Sequence, residues 1–182
     1  LALQQKKFPA VTGIEIQEPL YRLAVDNAAA NGLAGKFNVI RGDFNRIHAG
    51  IAGVRTIFCN PPFFKAGQGR VSPDPTIRLA RFEIALTLAD LLRGCAACLA
   101  PRGKLFLIFP YARKDELVAA AREHGLHPAR IRTVQSFADS PPERFLVQLG
   151  RARASCRHEA PLVIFREKGV YTSEMEKILA GA

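Results

Sequence analysis

The chain is predicted to form an α/β fold, in which crossover helices wind a mostly parallel sheet and a closing hairpin of strands near the carboxyl end adds an antiparallel edge. Three observations predict it. Short β-branched apolar runs alternate with stretches of helical periodicity between Ala10 and His124, which is the pattern of right-handed βαβ units. Two further apolar runs, Ile131–Phe137 and Phe145–Gly150, flank the Pro-rich turn Ala138–Pro142 with no helix between them, as in a hairpin. The 182 residues are 48% hydrophobic and 23% charged, which suits one globular domain spanning 1–182 with a core of its own.

The elements follow in order. Leu1–Pro9 reads as the end of a helix, stopped by Pro9. Ala10–Ile16 is β-branched and ends beside Glu15, a strand. Glu18-Pro19 opens a helix, with Leu20, Leu23, Ala24 and Ala28 at helical spacing and a stop at Asn31-Gly32. Phe37–Ile40 is a short strand leading to Gly42-Asp43, and Val54–Cys59 is the next strand. Lys65–Pro75 is rich in Gly and Pro and reads as a loop. A long helix is expected from about Thr76 to Leu99. Pro101-Arg102-Gly103 then turns the chain into the apolar strand Lys104–Phe109. Arg113–His124 is an amphipathic helix closed by Gly125. Leu162–Phe165 reads as a short strand and Ser173–Leu179 as a short helix.

Charge narrows the partners. Lys and Arg number 26 against 16 Asp and Glu, a formal net charge of +10 with a pI of about 10.0. Such a surplus favours a polyanion, with nucleic acid first in line. No apolar run approaches the roughly 20 residues that span a bilayer, and no secretory pattern opens the residues given. A cytoplasmic protein without a membrane partner is expected. Of the four cysteines, Cys95 and Cys98 form a C-x-x-C inside an apolar helical stretch, with no second pair at zinc-site spacing, and the four histidines are scattered. The cysteines therefore read as core residues, and no metal is expected.

The most informative positions are Asn60-Pro61-Pro62-Phe63, directly after the strand Val54–Cys59. Two prolines cannot continue a sheet, and they stiffen the loop. The Asn60 side-chain oxygen and the Pro61 carbonyl can both accept hydrogen bonds from one NH2 group. The Phe63 ring can stack on a flat base. In parallel sheets ligands bind beyond the carboxyl ends of the strands, where Glu15, Asp43 and Asn60–Phe63 all fall.

These residues resemble class I S-adenosylmethionine-dependent methyltransferases. More narrowly, the chain resembles the bacterial family that methylates the N6 amine of adenine 37 in a valine tRNA. The resemblance runs through Gly13-Ile14-Glu15-Ile16, Arg41-Gly42-Asp43-Phe44 and Asn60-Pro61-Pro62-Phe63-Phe64-Lys65. It continues through Gly67–Pro73, Ala80-Arg81-Phe82-Glu83 and Ala160-Pro161-Leu162-Val163-Ile164. It implies a Rossmann-like methyltransferase fold and S-adenosylmethionine as cofactor. Glu15, with Ile16 beside it, would hold the ribose, Asp43 the cofactor's adenine amine, and Phe44 would lie against its ring; Asn60 also borders the cofactor. Asn60, Pro61, Pro62 and Phe63 would form the catalytic mouth. Phe63, Phe64, Lys65 and Arg70 would meet the RNA, with Arg130, Arg132, Arg151, Arg153 and Arg157 as further candidates. A monomer acting on tRNA is implied.

The chain departs from the family in three places. The family usually has Tyr at the position of Phe63 and His at that of Phe82. It also carries a first strand and a Gly-rich cofactor loop, neither of which is in this sequence. With Leu1 first and Met175 the only methionine, roughly 50 upstream residues are expected, by the resemblance and domain-size priors. Two other functions fit: methylation of a protein glutamine amide, which the same two acceptors could grip, and a non-catalytic RNA-binding remnant.

Overall fold

The computed structural model describes residues 8–61 and 86–181. They fall into two compact units, residues 8–47 and residues 48–61 with 86–180.

The first unit is one βαβ turn. Strand β1 (Val11–Glu15) pairs in parallel with β2 (Phe37–Arg41), in register from Val11↔Phe37 to Glu15↔Arg41. Helix α1 (Glu18–Ala30) crosses between them. Pro19 sits in its first turn, where a missing N–H costs nothing, and the Glu18 carboxylate faces the positive end of the helix. Asn31 closes the helix, and Gly32 takes φ +64° beyond it. Leu20, Leu23, Ala24 and Ala28 recur along α1 at helical spacing. In this unit Leu23 is 54% exposed and Ala28 is the helix's buried residue. A short helix, α2 (Phe44–Ile47), follows β2.

The second unit is built on a five-stranded sheet. A 3-10 turn (His48–Gly50) leads to β3 (Val54–Cys59). Helix α3 (Leu88–Cys98) runs into β4 (Leu99–Pro110), and the 3-10 turn Tyr111–Arg113 into α4 (Lys114–Glu123). Strands β5 (His127–Gln135), β6 (Arg144–Gly150) and β7 (Arg157–Val163) complete the sheet. The small hairpin β8 (Phe165–Glu167) and β9 (Val170–Tyr171) and helix α5 (Ser173–Ala180) close the chain. The order is β3-β4-β6-β5-β7. β3, β4, β5 and β7 run one way and β6 alone runs against them. The expected α/β fold with a mostly parallel sheet is therefore present. The hairpin, however, does not form the sheet's edge: β6 inserts between β4 and β5, and β7 takes the outer position.

One face of this sheet is the core. Leu105, Leu107 and Phe109 of β4 stand opposite Leu149, Val147 and Phe145 of β6. All six are 2% exposed or less and pack with the buried sides of α3 and α4 through Leu92, Cys95, Leu117 and Ala121. The period of two in β4 and β6 is the sequence pattern that puts them there.

Several element boundaries differ from the sequence reading: the expected strand Leu162–Phe165 divides between the end of β7 and the start of β8, β5 begins at His127 and ends at Gln135, and two further differences have a local cause. Helix α3 starts at Leu88, because Thr87 is extended (φ −75°, ψ 160°) and caps it. The Thr87 hydroxyl accepts from the Asp90 N–H at 3.1 Å and donates to the Asp90 carboxylate at 2.7 Å. No single helix therefore runs from Thr76 to Leu99. Strand pairing begins at Leu99↔Val54 and resumes at Lys104↔Thr56, so residues 100–103 form a bulge within β4 rather than a turn before it. Gly103 makes this possible: a Cβ there would lie 2.7 Å from both the Leu99 Cγ and the Val54 carbonyl oxygen.

Candidate active site

In the first unit two carboxylates stand at the same end of the parallel pair. Glu15 is the last residue of β1, and its backbone carbonyl accepts from the Gly42 N–H at 3.0 Å. That bond holds the turn after β2 against the end of β1. The half-buried Glu15 carboxylate accepts the Gln17 N–H at 2.8 Å. Asp43 caps α2: its Oδ1 accepts the Asn45 N–H at 2.9 Å, and its carbonyl accepts from Arg46 and Ile47. The plain structural role of Asp43 is thus real, and it uses one of the two carboxylate oxygens. Ile16, just past β1, is 41% exposed. Arg41 is turned to an ion pair with Glu18. The acceptor set fits a ribose diol and an exocyclic amine, since each carboxylate retains acceptor capacity beyond its backbone bond.

In the second unit Asn60 leaves the carboxyl end of β3 with its side chain exposed, and Pro61 is buried behind it. Among the described residues the Asn60 amide has no hydrogen-bond partner. Beside it the open face of the sheet forms a shallow hollow of about 570 Å3, bordered by Phe58, Asn60, Phe106, Ile108 and Leu146. The Phe58 and Phe106 rings stack at 5.2 Å with 20° between their planes. Residue composition did not single out this pair. The sequence reading missed it; the signal that could have found it is the strand alternation, which turns Phe58 away from Ile57 and Cys59. Pro62, Phe63, Phe64, Lys65, Arg70 and Phe82 lie outside the described residues.

Neighbouring groups set limits on the chemistry. Burial pushes the Cys59 thiol up to about 12 and raises the Cys95 and Cys98 thiols as well, so none is an available nucleophile at neutral pH. Cys95 and Cys98 are buried on α3, as their apolar surroundings predicted, and all four cysteines are free. Among the described residues no cluster of His, Cys, Asp or Glu could hold a metal ion, and no helix is long and apolar enough to cross a membrane. Arg130 is bound to Glu159 at 2.9 Å, and Arg132 to Glu174 at 2.8 Å.

No protein-family model matches the chain. Among characterised proteins it is similar to the tRNA1(Val) (adenine(37)-N6)-methyltransferase of Aeromonas hydrophila, 32% identical over 162 residues, covering 89% of this chain and 66% of that protein. The protein of the same name from Parabacteroides distasonis is 28% identical over 180 residues, covering 98% of this chain and 75% of its relative. Among solved structures, a predicted O-methyltransferase from Agrobacterium tumefaciens superposes with a TM-score of 0.69 at 20% identity, over 94% of this chain and 77% of that one. The chain belongs to the class I S-adenosylmethionine-dependent methyltransferases. A putative RNA methyltransferase from Pyrococcus horikoshii shares this methyltransferase's fold, with a TM-score of 0.55 at 14% identity over 80% of this chain and 64% of that one. Within the class, the methyltransferase resembles proteins named tRNA1(Val) (adenine(37)-N6)-methyltransferase, at 32% and 28% identity for the two relatives above.

Proposed function

We propose that this methyltransferase, with residues 1–182 forming part of a single catalytic domain, methylates the exocyclic N6 amine of adenine in RNA, and that the target is an adenine in a tRNA anticodon loop. One observation carries the reading: an exposed Asn60 amide, without a partner among the described residues, at the carboxyl end of β3 and followed by Pro61. The names of the relatives from Aeromonas hydrophila and Parabacteroides distasonis, and the basic balance of the chain, support it.

S-adenosylmethionine, when bound, supplies an electrophilic sulfonium methyl. The chain's own residues do the rest. Glu15, with Ile16 beside it, would accept the ribose hydroxyls and Asp43 the adenine amine of the cofactor, with Phe44 beside the ring. Asn60 Oδ1 and the Pro61 carbonyl accept the two hydrogens of the target amine. An adenine nitrogen is a poor nucleophile because its lone pair is delocalised into the ring. Two acceptors on its hydrogens favour a tetrahedral nitrogen and free that pair. Catalysis then rests on position and fixed dipoles, and no shifted base is needed. Phe63 stacks on the base, which an anticodon loop already presents in a single strand. Phe64, Lys65 and Arg70 extend the contact with the RNA.

The test is methyl transfer from S-adenosylmethionine to under-modified bacterial tRNA, read as N6-methyladenosine by nucleoside mass spectrometry. A rise in that nucleoside is expected. No rise, with methyl transfer to a protein glutamine instead, would replace RNA by protein as the substrate; no transfer to either would leave a binding protein.

A further inference from the structure

We infer that the amino-end rim of the five-stranded sheet is a second docking surface for RNA phosphates, remote from the mouth at Asn60. The inference rests on the RNA reading above, but on different residues. The described part of the first unit is electrically balanced, with Arg22, Lys36, Arg41 and Arg46 against Glu15, Glu18, Asp26 and Asp43. The described part of the second unit carries sixteen Lys and Arg against ten Asp and Glu. That surplus is not spread evenly. At the carboxyl end of the sheet, residues 111–116 and 136–144 hold three basic and four acidic side chains. At the amino end, residues 99–104, 122–128 and 149–158 hold Arg102, Lys104, Arg122, Arg151, Arg153 and Arg157 against Glu123 alone.

The two ends also differ in how their charges are used. At the carboxyl end Arg113 is engaged by Glu116 at 2.7 Å. At the amino end Arg102, Lys104, Arg122 and Arg153 have no carboxylate partner among the described residues. Arg151 donates to the carbonyls of Ala96 and Leu99, the latter at 3.3 Å, so it keeps its charge while bracing the end of α3. Only Arg157 lies near an acid, 3.9 Å from Glu159. Between the end of α4 and the loop after β6, two of these groups, Arg122 and Arg153, border a hollow of about 660 Å3 together with His127, Pro128 and Ser155, and no carboxylate lines it. Guanidinium forks, an imidazole and a hydroxyl around an acid-free recess are donors suited to a phosphodiester.

The register fixes the separation. His127 pairs with Gly150, and Cys59 lies level with Leu107 and Val147, so Asn60 is four residues along and three strands across from the rim. At ~3.3 Å per residue and ~4.8 Å per strand, that is about 20 Å. A single nucleotide held at Asn60 does not span this distance; a folded RNA offering a loop at the mouth does, with phosphates outside that loop. The rim therefore selects for the body of the RNA, and the mouth for the base.

The test compares the full chain with Arg122→Gln/Arg153→Gln and with the charge reversal Arg122→Glu/Arg153→Glu, both at exposed positions. Affinity for under-modified tRNA and for the isolated anticodon stem-loop is measured as a function of salt. The double Gln variant is expected to weaken tRNA binding and to flatten the slope of log K against log salt by about 1.4 to 1.8, at 0.7 to 0.9 per lost phosphate contact. The Glu variant should weaken it further. KM for tRNA rises in both while kcat and the KM for S-adenosylmethionine stay constant, and stem-loop binding is unchanged. If the wild type binds tRNA and both variants bind it with the same affinity and slope, the rim is not an RNA surface. If the variants lose only inorganic phosphate, followed by phosphorus NMR, the hollow belongs to a free ion and the RNA assignment is overturned. A wild type that binds no RNA overturns the RNA reading itself, and this inference with it.

Discussion

The Arg132 guanidinium on β5 grips the Glu174 carboxylate at the start of α5 through two contacts, at 2.7 and 2.8 Å. Its Nε donates to the Ala160 carbonyl of β7 at 2.8 Å, and Nη2 also reaches the Pro161 carbonyl at 3.4 Å. One side chain thus ties a central strand, an outer strand and the final helix. The sequence groups Arg132 with candidate RNA contacts; the structure commits it to holding α5 in place.

This gives an acid-dependent stability. Hydrogen bonding from Arg132 holds the Glu174 carboxyl below its ordinary value of 4.5. A carboxylate with a depressed folded-state pKa contributes stability that is complete above the unfolded value and is lost as pH falls through the folded one. The wild type should therefore exceed Glu174→Gln in urea midpoint at pH 7, and the two should converge as pH drops below about 4.5. A constant gap down to strong acid would show that the pair contributes nothing.

The Thr87 cap is expected to matter more than its exposure suggests. Thr87→Ala removes the acceptor for the Asp90 N–H and should cost about 1 kcal/mol in equilibrium unfolding. Thr87→Ser should restore most of it.

Gly103→Ala introduces a Cβ 2.7 Å from the Val54 carbonyl, a backbone atom that cannot rotate away. A loss of about 1 to 3 kcal/mol is expected. An unchanged melting temperature would mean that the bulge before Lys104 is soft.

Under the proposed mechanism, Asn60→Ala and Asn60→Asp should lower kcat by about 100- to 1,000-fold, the magnitude for loss of one preorganised polar group at a reacting centre. RNA affinity should hold within a factor of about two. Retained turnover would remove Asn60 from the chemistry.

Thiol labelling has a defined order. Cys156 is partly exposed, while Cys59 titrates only near 12 and Cys95 and Cys98 are buried. At pH 8 in native buffer, Cys156 should react first, and the other three should follow at the rate of unfolding.

Much of this was legible in the sequence where local and tertiary signals agree. Val54–Cys59 is recovered with both ends intact, and α1 begins and stops where Pro19 and Gly32 mark it. β7 was harder: it starts at Arg157-His158-Glu159, three polar residues that only pairing with Arg130, Ile131 and Arg132 turns into a strand. The position of β6 inside the sheet is likewise a tertiary fact, absent from any local pattern. For the site, spacing put Glu15, Asp43 and Asn60 at strand ends, and they are there. Of the basic rim, the sequence singled out Arg151, Arg153 and Arg157 but not Arg102, Lys104 or Arg122, because the rim gathers residues from the ends of four separate elements.

The placement of β6 also sets the order of assembly on the ribosome. β4 and β5 do not bond to each other; both bond to β6. β5 thus leaves the ribosome before either of its neighbours, since both β6 and β7 follow it in the chain. Until Gly150 has been translated, the nascent protein carries one half-paired strand and one bare one, with open backbone that any other extended segment could join. Vulnerability to wrong partners is therefore greatest midway through synthesis; it falls when the seven-residue β6 slots in, and β5 keeps one open edge until β7 follows.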